Sequence, residues 1–456
     1  MGRPKAMGAR PKAAIASRSS AAKALPGEAA LHRLWRDRRI PAVRMADGDT
    51  VTVVFPGWPN TGSGPDFTGA VLRRADGREL RGDVEMHVQA GDWRRHGHDG
   101  DAAYQAVALH VAWSGSPAGS VAEGPAPLAL LTGGILGSDP RPCVRHAPLM
   151  EEAALGAALD AEGDLRLETK ASALAQSIAA VGPEQSLYAA ILAALGYSSN
   201  QRPFADLAQR LPWDSVRRHA LAAPPHEAGV TLEALLLGAA GLLPSQRGLS
   251  STEGADDYTS GLDHAWTRHG AGSSPIATPW RSFRVRPENL PARRVAAAAA
   301  LVVRHAATGL IPAMRDAVLH ENPRRAPHAL RDALVVPAST YWASHWDLGT
   351  VASNAPALLG EVRADDIIIN AALPFNLAWA TLQKDTPLAQ RARELYGSWR
   401  PLAANHLLAR MERMLMPERA SWIVTTARRQ QGLLGLYRRR CHALLCSGCA
   451  LGGTSS

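Results

Sequence analysis

The spacing of apolar residues changes character near residue 150, and that change constrains the fold more than any other feature. Between residues 50 and 113, short runs alternate apolar and polar side chains, the two-residue period of strands with two distinct faces. Beyond 150, Ala and Leu recur every three to four residues, the period of helices packed on one side. A chain divided in this way reads as α+β: a small mixed sheet followed by a larger, mainly helical region.

Within the first part, Leu31, Leu34 and Trp35 share one helical face over 28–39, and Pro41 ends the pattern. Strands are expected over 50–55, 67–74, 78–89 and 108–113, with a helical stretch over 101–107. Asp76-Gly77 is a hairpin signal between the second and third strands. The order over 28–118 is therefore helix, three strands, helix, strand, followed by a linker over 119–150. Helical periodicity then runs over 165–179, 184–195, 232–243, 291–305 and 390–416, within a region spanning 151–440. Low-complexity sequence near 250–275 is the expected break in that region, which reads as one or two helical domains. Residues 441–456 form a short cysteine-bearing segment.

Net charge is +9, but its placement matters more than its sum. Residues 1–27 carry six basic groups and no acid, and they include the near-repeat Gly2-Arg-Pro-Lys-Ala and Gly8-Ala-Arg-Pro-Lys-Ala. This reads as a disordered basic tail. The stretch 390–440 holds eleven arginines against Glu394, Glu412 and Glu418. Lysine is scarce: Lys5, Lys12, Lys23, Lys170 and Lys384 are all there are. That count excludes a Walker-A phosphate loop, which needs Gly-Lys-Ser/Thr. No run approaches the roughly 18 apolar residues of a membrane span, and the N-terminus lacks the apolar core of a signal peptide. A cytoplasmic location without a membrane partner is expected, and the oligomeric state is left open.

The chemistry concentrates in Gly82-Asp83-Val84-Glu85-Met86-His87-Val88. Alternation places Asp83, Glu85 and His87 on one strand face and the aliphatics on the other. With a two-residue loop at Asp76-Gly77, Asp66 lies opposite His87, and Glu85 is diagonal to it at roughly 7–8 Å. Two carboxylates and an imidazole at a sheet edge suit a hard divalent cation such as Mg²⁺ or Mn²⁺, held by Asp66 and Glu85. Asp83 is expected on the solvated face. Asp92-Trp93-Arg-Arg-His96-Gly-His98, with Tyr104, follows directly. Asp92, His96, His98 and Tyr104 are candidates for accessory contacts to water, phosphate or a zinc ion. His110 reads as a sheet-surface histidine.

Helix–β–β–β–helix–β, with Pro65-Asp66 opening the second strand and Glu85-x-His87 on the third, resembles the PD-(D/E)XK nuclease core. The resemblance implies that Asp66 and Glu85 are metal ligands, that Glu28 is an accessory carboxylate, and that His87 stands where the family carries lysine. Asp66, Glu85 and His87 would then form the catalytic set of a nuclease acting on DNA or RNA. The alternatives are a catalytically inactive nucleic-acid-binding or scaffold protein with a nuclease-like fold, or a zinc-dependent hydrolase using His96 and His98. Over most of its length the chain also resembles the DUF2851 family of bacterial proteins. That likeness runs through Gly64-Pro-Asp-Phe67, Gly82-Asp-Val-Glu-Met-His87, Asp92-Trp93, Leu109-His-Val111, Gly196-Tyr197 and Pro374-Phe375.

Cys143, Cys441, Cys446 and Cys449 are all the cysteines, and three of them fall in Cys-x4-Cys-x2-Cys. Four thiolates suit Zn²⁺ or a [4Fe–4S] cluster, which would staple the two halves of the chain. Some PD-(D/E)XK exonucleases carry a similar staple, although with the lone cysteine before the nuclease core. Finally, Trp280-Arg281-Ser-Phe-Arg284-Val-Arg286, with Arg293 and Arg294, interleaves arginine and aromatic residues as strand-binding surfaces do.

Overall fold

A computed structural model of the chain describes residues 27–452 apart from 47, 61, 115–126, 132–142, 198, 249–255, 271–273, 283–284, 442–444 and 447. The expected basic tail, up to residue 26, lies outside the described residues. The chain forms two compact units, 1–139 and 140–456.

The first unit opens with helix α1 (Glu28–Arg36). Leu31 and Trp35, one turn apart, are fully buried, and the Trp35 indole N–H donates to the Pro56 carbonyl (2.9 Å). Seven strands follow: β1 (Ala42–Met45), β2 (Thr50–Phe55), β3 (Trp58–Pro59), β4 (Phe67–Arg74), β5 (Glu79–Gln89), β6 (Val107–Ser114) and β7 (Leu128–Leu130). They lie in the order β2-β1-β7-β6-β5-β4-β3, and β2 also pairs with β4. Six strands thus close into a ring, which removes their free edges. β6 runs parallel to both β5 and β7, whereas the other pairs are antiparallel. Val84 and Met86 of β5, with Leu109 and Val111 of β6, join Leu31, Trp35 and Phe67 in one core.

Two differences from the sequence reading follow. Besides the two-residue β3, β1 and β7 are new, and β7 extends the unit beyond 118 into the expected linker, which also contains helix α3 (Cys143–His146). Both strands are too short to show periodicity and become strands only by pairing with each other and with their neighbours. In place of the helix expected over 101–107 are short helix α2 (Asp92–Arg95) and 3₁₀ turns at His98–Gly100 and Ala102–Tyr104.

The β4–β5 register also differs. The hairpin is a three-residue turn over 75–77, with Arg74 N–H donating to the Arg78 carbonyl and Gly77 at φ 84°. A bulge then intervenes between Phe67 and Ala70, where Gly69 takes φ 65° and its N–H donates to Asp83 Oδ1 (2.9 Å). Each device shifts the pairing by one residue. Phe67 consequently faces Val84, and Asp66 falls beside Glu85 rather than His87. Because the total shift at Asp66 is two, Asp66, Glu85 and His87 keep one shared face, whereas the β4 residues between the turn and the bulge, shifted by one, change face.

Among the described residues of the second unit, the core cluster from Leu167 to Ala427 runs across the expected break near 250–275. Its longest helix, α4 (Glu152–Val181), pairs with the helix Ala427–Leu436. The helix expected over 390–416 is two, Thr386–Ser398 and His406–Leu415, separated where Pro401 cannot donate a helical hydrogen bond. The segment Ala228–Arg247 is long and apolar enough to count as a candidate membrane span, with mean hydropathy 1.5, but 78% of it is buried inside the unit.

Glu233 is buried in this core, where its Oε2 accepts hydrogen bonds from the Tyr258 hydroxyl (2.5 Å) and the Trp342 indole (3.0 Å). Burial raises its pKa to about 7 despite those two bonds. A carboxyl whose folded pKa exceeds its unfolded value contributes stability below the unfolded value and loses it as pH rises through the folded one. Glu233→Gln should therefore reduce the fall in melting temperature between pH 5 and 8. Parallel thermal melts of the two proteins check this, and identical pH slopes would refute it.

Candidate metal centre

β5 presents Glu85 and His87 on the face opposite the core, and both are nevertheless buried, at 5% and 0% exposure. The cover is the segment from Asp92 to Tyr104, a short parallel crossover that returns the chain to β6. Asp66 and Glu85 clasp each other across β4 and β5. The Asp66 N–H donates to Glu85 Oε2 (2.9 Å), and the Met86 N–H donates to Asp66 Oδ2 (3.0 Å). Glu85 Oε1 points the other way, 3.3 Å from His98 Nε2 and 3.7 Å from His87 Nε2.

The imidazoles form a connected group. His87 Nδ1 lies 3.0 Å from His110 Nε2, and its Nε2 lies 3.1 Å from His96 Nδ1, so within each pair one nitrogen carries the proton. One nitrogen from each of His87, His96 and His98 falls within 4.8 Å of the other two. His98 stacks on Tyr104 at 3.9 Å between ring centroids, and Trp93 packs edge-on against both rings.

The electrostatics follow from burial. Glu85 is pushed up to about 8 by desolvation and then by the Asp66 charge, against the pull of the Asp66 N–H. Desolvation and then its histidine neighbours push His87 down to about 3, and desolvation and then His98 push His110 down to about 4. His98 is lowered by burial and then by His96. Tyr104 rises to about 12, through burial and then Glu85 and Asp66, and so keeps its proton at neutral pH. The centre thus places a buried carboxyl beside two imidazoles, His87 and His110, that burial keeps neutral. His98 Nε2 is buried without a hydrogen-bond partner.

Two members escaped the sequence reading. His32 on α1 has Nε2 3.0 Å from Asp66 Oδ2. That nitrogen is not aligned for a hydrogen bond, so the contact is one of charge proximity. Burial opposes the His32 charge, but the contact and charge of Asp66, with Glu28 and Glu85, outweigh it and raise the pKa. The available signal was its position one turn after Glu28. His110 is not a surface histidine: it is 2% exposed and pairs with Glu85 in the parallel ladder, beside His87. Its alternation with Leu109 and Val111 was the signal, but only the strand pairing reveals its partner.

The other candidates differ in their surroundings. Glu28 is exposed on α1, near enough for its charge to act on His32 and Glu85. Asp92 turns back to accept the Gln89 N–H (3.3 Å) and pairs with Arg95, so it caps the crossover. Arg281 and Arg286 are exposed, while Arg284 lies outside the described residues. Arg293 and Arg294 cannot contact a strand, because they are 0% and 5% exposed. Arg293 donates to the carbonyls of Trp342, His345 and Pro356, and Arg294 donates to that of Leu358 and to Asn289 Oδ1. In the arginine-rich C-terminal part, Arg393 pairs with Glu168, Arg400 with Asp365, Arg428 with Asp164, Arg429 with Asp160 and Arg439 with Glu162. Trp399 and Tyr437 are buried, and Trp422 is exposed.

The first unit is therefore a closed mixed sheet that carries a largely buried imidazole–carboxylate cluster outside its core. The chain is a member of the DUF2851 family, described as proteins of unknown function, whose model matches residues 28–118 and 135–403. No curated protein and no solved structure matches it.

Proposed function

We propose that the first unit is a metal-dependent, nuclease-like hydrolase of phosphodiester bonds. The observation that carries this reading is the convergence of Glu85 Oε1 with one nitrogen each from His87, His96 and His98. The donor set fits a cation: His98 Nε2 lacks a hydrogen-bond partner, and burial, followed by the Asp66 charge, holds Glu85 away from ionisation. Three imidazoles with one carboxylate favour Mn²⁺ or Zn²⁺ over Mg²⁺, which prefers oxygen ligands. When bound, such an ion acidifies water and offsets phosphate charge.

The protein's own groups take distinct parts. Glu85 can hold or release a proton at Oε1, and Asp66 is oriented for the site by the Met86 N–H. His110 fixes the ring of His87, while the Tyr104 hydroxyl is a donor for a phosphate oxygen. The phosphodiester class rests on the order of elements and on Pro65-Asp66 with Glu85-x-His87, which resemble the PD-(D/E)XK core; closure of the sheet by β1 and β7 departs from the order read in the sequence.

The test is purified protein with labelled DNA and RNA in the presence of Mn²⁺, Mg²⁺ or Zn²⁺. Cleavage with Mn²⁺ that Asp66→Ala removes is expected. Salt-sensitive binding without turnover under any metal would replace this reading with a nucleic-acid-binding scaffold. The imidazole trio also supports a zinc-dependent hydrolase. In that case activity with Zn²⁺ survives Asp66→Ala and disappears in His98→Ala. In either catalytic reading, His110→Ala should weaken metal affinity by about 10–100-fold, the usual effect of losing a partner behind a ligand. Competition against a chromophoric chelator measures this, and unchanged affinity would remove His110 from the centre.

A further inference from the structure

We propose that Cys143, Cys441, Cys446 and Cys449 hold one thiolate-bound metal centre, a zinc ion or an iron–sulfur cluster, that closes the second unit on itself. The four residues line a single small cavity together with Arg440 and Leu445. Cys143 and Cys441 are buried, while Cys446 and Cys449 are half-buried. The arrangement differs from the staple between halves read in the sequence, because the unit boundary at Asp139 places Cys143 inside the second unit with the other three.

Several independent features bring these distant positions together. The helix Ala427–Leu436 packs along α4, so the second unit's last helix lies beside its first long one. Arg419 donates to the carbonyls of Ala147 (3.3 Å), Pro148 (2.7 Å) and Met150 (3.2 Å), pinning the segment just after Cys143. A π-helical turn, Tyr437–Cys441, ends on the second cysteine. The Cys449 N–H then donates to the Cys446 carbonyl (3.1 Å), and the Gly452 N–H donates to that of Cys449 (2.9 Å). These two successive turns fold the last cysteines back toward the first pair.

The chemistry of the cavity is uniform. Its sulfur donors are the soft ligands that select zinc or iron–sulfur clusters over Mg²⁺ or Ca²⁺. Binding would release the thiol protons to solvent. A centre shared between the start and end of one unit stabilises that unit, since its ligands are far apart in the unfolded chain.

The experiment uses the full chain carrying Glu85→Ala and His98→Ala, so that an ion at the first unit is not counted. Protein purified anaerobically without chelator is analysed for metal, acid-labile sulfide and visible absorbance. About one zinc, or about four irons with sulfide and a brown colour, per chain is expected. Cys143→Ser and Cys446→Ser should each remove all of that metal. If either variant fails to fold, a mercurial titration of the otherwise unchanged chain replaces it, and release of the whole metal content within four equivalents of thiol supports the centre. Substantially substoichiometric zinc and iron, or metal that neither the substitutions nor the mercurial displaces, would overturn the proposal. Neither outcome bears on the Glu85 centre.

Discussion

Glu85→Gln should lower metal-dependent cleavage on the order of 10²–10⁴-fold, the range for removal of a proton-transfer or charge-stabilising group. The same substitution should leave folding intact or improve it. Gln has the shape of the protonated carboxyl that burial already favours in Glu85, and it still offers an oxygen to the Asp66 N–H. The linkage sign agrees. The folded pKa, about 8, lies above the unfolded value, so Glu85 contributes stability at low pH that is lost as pH rises through about 8. In chelator at pH 8, the Gln variant should melt no lower than the parent. Cleavage kinetics with Mn²⁺ and melts in chelator test both halves. Loss of activity with a large fall in melting temperature would mean that Glu85 serves packing rather than chemistry.

The second large effect concerns the pairing of α4 with the helix Ala427–Leu436. Gly432 sits directly against the backbone of α4: a Cβ there would overlap the Leu159 carbonyl oxygen and meet the Gly163 nitrogen at 3.2 Å. Gly163 in turn leaves no room against the backbone of Arg428. In an isolated helix, Gly→Ala would gain up to about 1 kcal/mol of propensity. Here the obstacle is backbone, which cannot rotate away, so the helices must separate at a cost of about 1–3 kcal/mol or more. Gly432→Ala should lower the melting temperature by roughly 2–4 °C for each kcal/mol lost. Asp160→Ala should have a smaller effect, because its pairs with Arg428 and Arg429 are partly exposed and such pairs are worth about 0–1 kcal/mol. Thermal melts of the two variants rank these effects, and an unchanged or raised melting temperature for Gly432→Ala would contradict the close approach.

Much of this organisation was legible in the sequence because it rests on local period. The change from two-residue to helical spacing separated sheet from helices, and alternation along 82–88 put Glu85 and His87 on one face. Non-local pairing was not legible. The turn at Gly77 and the bulge at Gly69 shifted the register by two residues, moving Asp66 from His87 to Glu85 while preserving the shared face. β1 and β7 have too few residues for a periodic signal. His110 required knowledge that β6 lies parallel to β5, and His32 required the docking of α1 beside Asp66.

Arginine was the most misleading residue type. A count of positive charges does not distinguish a guanidinium facing solvent from one that satisfies buried carbonyls. Arg293, fully buried over Trp342 and Trp346, is of the second kind. The case for a phosphodiester substrate therefore rests on the cluster around Glu85 and not on net charge.

That cluster is tested most directly by an anomalous difference map at the manganese edge from crystals soaked in Mn²⁺. The account predicts one peak at about 2.0–2.3 Å from Glu85 Oε1 and from nitrogens of His87, His96 and His98. A soaked crystal with no peak among these four residues, from protein that cleaves with Mn²⁺, would contradict it.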